Sequence, residues 1–325
     1  PGSEWRDRFL RHETYEHQCA GSLIVDSSVE VPASPRQTPP FLDRLHIAAR
    51  QTMLLSMRYL TILGADWRSL AMMAGQCVLV AVLIVVLFGD IHEREFPHDA
   101  QQSARIMFLL AISALWFGCN NAAKEIVKES TIYAKERDVN LLAPSYLASK
   151  VLLLGFISLL QVMLLVAVVK MGTGVSCGFA ACVLLFSLAL TGVSMGLLIS
   201  AASKTTDIAV TVVPLVLIPQ IILSGSIAEV GGFAKFIAQL FVVAYWGYGG
   251  LIACLPSESV DFLEYENWSF WGAWFVIILQ LVTYLAGAMF VLQYSASRDA
   301  AYGKAIDHWL RAARKKLQET VLPPI

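Results

Sequence analysis

Six stretches without a single charged residue alternate with segments that hold nearly all of the chain's basic residues. They are Leu70–Phe88, Ile106–Ala123, Val151–Val169, Cys177–Ala202, Ile208–Ala228 and Phe270–Leu292. A helix rises about 1.5 Å per residue, so an apolar run of about eighteen residues or more crosses the hydrocarbon core of a bilayer. Soluble cores seldom need one such run. Six of them specify an all-α, polytopic membrane protein and exclude most soluble-enzyme classes. The composition agrees, with 57% hydrophobic and 15% charged residues, against about 25% charged in soluble domains.

Net charge is −1, so bulk charge points to no nucleic-acid partner. The placement of the charge says more. With both termini in the cytosol, 20 of the 24 basic residues fall in cytosolic segments, leaving Arg94, Arg105, Lys170 and Lys235 outside. The outside segments also carry an acidic excess, from Asp90 and Glu93 to Glu264 and Glu266. Positive residues collect on the side that is not translocated. The reading is therefore a multi-pass protein of the cell (inner) membrane with both ends cytosolic.

A seventh apolar run, Phe236–Leu255, is interrupted by Gly247, Gly249 and Gly250 and ends at Pro256. If it crossed the membrane, the tail with its six basic residues would lie outside, against the same rule. Its Tyr245, Trp246 and Tyr248 suit the bilayer interface. A re-entrant element between spans five and six is expected. The six cysteines, Cys19, Cys77, Cys119, Cys177, Cys182 and Cys254, show no metal-ligand spacing. Cys177 and Cys254 both fall near the outer face, so a disulfide between them is conceivable, but small lipid- or core-facing hydrophobes are the simpler reading.

Residues 1–40 read as a cytosolic linker, with a short helix over Glu4–Gln18 and an extended Pro-rich stretch over Asp26–Pro40. The opening Pro1–Gly2–Ser3, in place of Met, suggests a purification remnant or a missing N-terminal portion. Phe41–Asp66 has helical apolar spacing with Arg44, Arg50 and Arg58 between. This describes a helix on the membrane surface, packed on a partner, or both through opposite faces. Beyond the sixth span, residues 297–325 form a basic tail. Ile306, Trp309, Leu310, Ala313 and Leu317 share one face there, amid Arg311, Arg314, Lys315 and Lys316, as in a helix on an anionic leaflet.

The second span runs on into Lys124–Asp138, with eight charges in fifteen residues and neither Gly nor Pro. Lys124 and Lys128, and Glu125 and Glu129, lie one turn apart. Like-charge rows of this kind weaken an isolated helix unless each meets opposite charge on a partner. The fifth span contains Pro214 and Pro219, which lack an N–H and crowd the carbonyls of Val210 and Leu215. A loosened helix follows, suited to moving or lining a pathway.

Catalytic motifs are missing. Nothing matches a P-loop, Ser203-Lys204-Thr205 lacks the glycine scaffold, and HExxH, GxSxG and GxGxxG are all absent. The spans hold no Asp, Glu, Lys or Arg at mid-depth, which disfavours an ion-coupled carrier. Their polar groups are amides and hydroxyls such as Gln76, Asn120, Asn121, Gln161, Gln220, Gln280, Ser194 and Thr211. The chain reads as a transport-like membrane body without its own energy source.

From Phe41 to about residue 296 the chain resembles the transmembrane domain of ABC-2-type exporters of the G-subfamily kind. Its nearest likeness is to bacterial members with a fused ATPase domain. The resemblance rests on a surface connecting helix, on the stretch Trp116–Arg137 leading into Ser145–Lys150, on the Pro214…Ser224-Gly225 fifth span, and on the re-entrant element. It implies a homodimer with two ATP-binding domains, fused or separate, which hold ATP and Mg2+. No cofactor is expected on this chain. It also implies a substrate site lined by Leu110, Ala114, Phe117 and Asn121 from the second span and Leu217, Ile218 and Ile221 from the fifth. Ser226 and Ile227 would form a thin outer gate. Glu125, Glu129, Glu136 and Arg137 would contact the ATPase. The implied function is export of a lipid-like or amphipathic substrate. A polysaccharide or glycolipid exporter is one competing reading. A non-transporting scaffold that recruits a cytosolic partner is another.

Overall fold

The computed structural model describes residues 41–89, 98–138, 141–175, 177–228, 230–256, 259–260, 263 and 269–294. The expected Glu4–Gln18 helix, the Pro-rich linker and the basic tail lie outside these residues. The chain divides into two units, Pro1–Leu45 and His46–Ile325. The packing of the second follows from its helices. Among the described residues all regular structure is helical.

The helices are α1 (Phe41–Ala65), α2 (Trp67–Phe88), α3 (His98–Ala122), α4 (Ser130–Asp138), α5 (Ala143–Thr173), α6 (Phe179–Ala202), α7 (Thr206–Ile222), α8 (Gly232–Phe241) and α9 (Val243–Ile252). A tenth, α10, covers Phe270–Tyr294. Five segments are long and apolar enough to cross a membrane: α2, the stretch Ala100–Arg137, α5, α6 and α10. At 17 residues, α7 reaches about the lower limit for a span. Helices α8 and α9 meet at 91°, consistent with the re-entrant element and a count of six spans.

Helices α3 and α6 form the centre because small residues let their backbones touch. A β-carbon on Gly118 would lie 2.0 Å from the Ala189 carbonyl oxygen. One on Gly192 would lie 2.3 Å from that of Leu115, and one on Gly196 2.4 Å from that of Cys119. Around this pair, α2 packs on α5, where the Cys77 thiol donates to the Gln161 carbonyl at 3.2 Å. Helix α10 joins α6 through Trp274 Nε1, which donates to Ser187 Oγ at 3.0 Å. The five described cysteines are free thiols, as the small-hydrophobe reading expects.

Two ends follow from local chemistry. Asp66 caps α2, accepting from the Ser69 N–H at 3.3 Å and from its hydroxyl at 2.6 Å; those bonds hold the carboxyl below its ordinary range. Helix α7 stays continuous across Pro214 and Pro219 but stops at Ile222, short of the expected Ala228. The Ser224 hydroxyl donates to the Ile221 carbonyl at 2.8 Å and accepts from the Ser226 N–H at 3.3 Å. Gly225 then adopts φ 81°, a left-handed conformation that turns the chain away.

The elbow between α8 and α9 interrupts the helical hydrogen bonds, and Gln220 of α7 repairs it. Its Nε2 donates to the Phe241 carbonyl at 3.3 Å, and its Oε1 accepts from the Ala244 N–H at 3.1 Å. Gln280 of α10 adds a 3.4 Å bond to the Leu240 carbonyl. A break at membrane depth is tolerable when side chains satisfy it in this way.

Candidate functional site: a buried charge junction

Past Ala122 the chain departs from regular α geometry. It tightens into a 3-10 turn at Val127–Glu129 and resumes as α4. Two i→i−3 bonds mark the tightening, from the Glu125 N–H to the Ala122 carbonyl and from the Glu129 N–H to the Ile126 carbonyl, both 3.1 Å. The amides of Ile126 and Val127 both donate to Ser200 Oγ of α6, each at 3.0 Å. One hydroxyl thus satisfies two buried donors of the bend. The continuation of the second span runs on to Arg137 through a local break in α geometry, where it is pinned to α6.

This turn places Glu125 and Glu129 against Lys150 of α5. Lys150 Nζ lies 2.7 Å from Glu129 Oε2 and 3.5 Å from Glu125 Oε2. Lys150 is only 2% exposed and Glu125 only 4%. The opposite charge that the Glu125 and Glu129 row requires comes from the chain itself. Tyr59 of α1 donates its hydroxyl to Glu125, which also pairs with Lys128. Tyr146 donates to Glu129 at 3.3 Å. The Lys150 ammonium sits 3.7 Å from the centre of the Tyr59 ring, an additional favourable contact for a desolvated cation. Burial, reinforced by Glu125, pushes the Tyr59 phenol far above its ordinary value, which keeps it a donor.

The junction extends to both sides. Arg58 of α1 forks onto Glu136 of α4, its second contact at 3.4 Å. The rings of Tyr133 and Tyr146 meet at a 36° tilt with centres 4.6 Å apart. The Thr52 hydroxyl reaches the Ser145 carbonyl at 3.5 Å, and the Leu142 N–H donates to Gln51 at 3.2 Å. A cavity of ≈ 10 Å³ adjoins Arg58, Glu129 and Lys150, about the size of one water. Buried charges persist only when paired and hydrogen-bonded. Here the pairing locks α1, the bend, α4 and α5 into one block.

Of the residues expected to meet an ATPase, Glu125 and Glu129 are therefore engaged inside the chain. Glu136 is engaged by Arg58, and Arg137 is half-buried. The outward face of the bend and α4 presents Lys128, Thr131, Ile132 and Lys135 instead, with Ile132 49% exposed. Arg58, Tyr59, Tyr146 and Lys150 escaped sequence reasoning. The available signal was a lysine at the mouth of the third span, one turn after a tyrosine.

The residues expected to line a substrate cavity separate into two groups. Leu110, Ala114 and Phe117 are buried within the protomer, in a core shared with Cys77, Ala81 and Ile84 of α2 and Val162, Leu165 and Val166 of α5. Asn121, also buried, joins a chain of amides. Its Nδ2 donates to Gln161 Oε1 at 2.7 Å, and its Oδ1 accepts from Gln76 Nε2 at 3.3 Å. Gln76 Oε1 accepts from Asn120 at 3.3 Å, and Gln161 Nε2 donates to the Met73 carbonyl at 2.8 Å. The face of α3 left open carries Leu109, Ile112, Trp116 and Asn120, one residue round from the expected face. On α7, Leu217 is buried, Ile221 half-buried and Ile218 exposed, with Leu215 and Ile222 exposed beside it. Ser226 is half-buried and Ile227 exposed.

Residues 50–255 match the family model of the ABC-2 type transporter. The chain is also 24% identical, over 267 residues, to the ABC transporter ATP-binding/permease protein Rv1747 of Mycobacterium tuberculosis (strain ATCC 25618 / H37Rv). That alignment takes in 77% of this chain and 31% of the relative, so the matched region is under a third of that protein's length. The family match covers well over half of the chain, from α1 through α9, and includes the charge junction. The chain belongs to the ABC-2 type transporter family.

Proposed function

We propose that the chain is the transmembrane part of an ATP-driven exporter. It moves a lipid-like or amphipathic substrate out of the cytoplasm or the inner leaflet, and it works as a homodimer. The motor is a nucleotide-binding domain, on the same polypeptide or separate, that holds ATP and Mg2+. The charge junction carries this reading. It ties the charged α4 to α1 through the solvent-accessible Arg58–Glu136 pair, and the turn that leads into α4 to α5 through the buried pairs of Lys150 with Glu125 and Glu129, so a push on α4 reaches the membrane helices instead of dissipating at a loose loop. The name of the Mycobacterium relative pairs an ATP-binding part with a permease, which supports a motor of that kind.

In this reading the charged end of the bundle faces the cytoplasm, and Thr131, Ile132 and Lys135 receive the motor. The substrate passes between two copies, along the open stripe Leu109, Ile112, Trp116 and Asn120 of α3 and past Leu215, Ile218 and Ile222 of α7. Such walls favour an amphipathic cargo over an ion or a sugar.

The test uses the complete ATPase-coupled protein in proteoliposomes. Ile132→Asp with Lys135→Glu places repulsive charge on the motor-facing surface and leaves the buried pairs intact. Transport should fall about tenfold or more, the usual scale for an interface hot spot, while the melting temperature stays unchanged. Full transport by the doubly substituted protein would sink the proposal.

A further inference from the structure

Beside the charge junction a cavity of ≈ 440 Å³ lies between α1, α2 and the end of α3. Its surfaces differ in chemistry. Met72 and Met73 form an apolar wall. Gln76 and Asn120 roof it with amides already bonded to one another. Lys124 and Lys128 supply two cations, and Asp66 and Glu125, the latter paired with Lys128, supply carboxylates. Both lysines are exposed, and Lys124 makes no ion pair among the described residues.

We propose that this cavity binds the headgroup of a zwitterionic phospholipid from the leaflet at the charged end of the bundle. Lys124 and Lys128 hold the phosphate, and Asp66 faces the headgroup amine. Three observations favour a lipid of this class. The volume falls within the about 300–1,000 Å³ of small-molecule sites, enough for a headgroup and the first atoms of its chains. The cavity presents both signs of charge, which suits a headgroup that itself carries both. A path for the acyl chains begins at its wall: Met72, Leu79, Leu83 and Val86 form one exposed stripe of α2, 67%, 63%, 52% and 74% exposed. That stripe runs about 21 Å along the helix, close to the length of an acyl chain. A free phosphate ester would leave it uncovered. The inference stands on this cavity and does not require the transport reading.

The experiment is native mass spectrometry of the full-length protein in detergent. It is titrated in parallel with phosphatidylethanolamine, phosphatidylglycerol and soluble phosphoethanolamine. Phosphatidylethanolamine should bind at one per chain, ahead of phosphatidylglycerol. Lys124→Gln removes a cation that no other group needs, and it should weaken phosphatidylethanolamine binding about tenfold, the worth of one charged hydrogen bond. Met72→Glu should weaken it as well, by placing negative charge on the apolar wall. Asp66→Asn should erase the preference for phosphatidylethanolamine over phosphatidylglycerol. Lys204→Gln, outside the cavity, should bind like the wild type. Unchanged phosphatidylethanolamine binding in both Lys124→Gln and Met72→Glu overturns the site. Phosphoethanolamine binding as tightly as the intact lipid overturns the lipid assignment.

Discussion

Lys150 occupies a position where a lysine is costly. It is buried at the mouth of α5 against two carboxylates from another segment and the face of Tyr59. Removing one partner of such a group leaves the others desolvated without compensation, which costs about 3–5 kcal/mol. Lys150→Met should therefore lower the unfolding midpoint sharply in detergent. Adding Glu125→Gln and Glu129→Gln should recover most of the loss, since three neutral groups no longer oppose one another. A single variant that melts like the wild type would mean that the three charges are not coupled. The Glu125 and Glu129 row was legible in the sequence as a demand for positive charge. Its source was not, because a helical repeat does not report that Lys150, 21 or more positions later, folds back onto it.

The contact between α3 and α6 depends on absent side chains. Gly192→Val would force atoms against the Leu115 carbonyl, where even a β-carbon would sit at 2.3 Å. The helices would have to separate, at a cost of about 1–3 kcal/mol or more. Gly75→Ala on α2, where nothing lies within 4 Å of the added carbon, should be neutral. Equal melting temperatures for the two variants would refute the close approach. The existence of these helices was plain in the sequence, since length and apolarity suffice for a membrane span. Their rotation was not. Helix α3 is apolar nearly all round, so the sequence carries no stripe to say which side faces a neighbour, and the expected lining face lies one residue away from the open one. The bend after Ala122 was equally hidden, because its two amides are satisfied by Ser200, more than 70 residues downstream.

Among the described residues the membrane helices turn apolar side chains outward, and the buried ion pairs gather at one end of the helices. Leu79, Leu83 and Val86 of α2 and Trp271, Phe275 and Leu279 of α10 are all exposed, as hydrocarbon contact requires. The rotation of α3 makes a direct prediction: a cysteine at Trp116, 38% exposed, should react with a membrane-permeant maleimide, and one at Phe117, 2% exposed, should be protected. The reverse pattern would favour the face of Leu110, Ala114 and Phe117. Gln220 couples two parts that hydropathy alone would treat as separate. Its carboxamide joins a proline-bearing rod to the hairpin dip beside it. Any axial slide of the rod must either tear both bonds or drag the dip along, so the two segments travel as a single piston head.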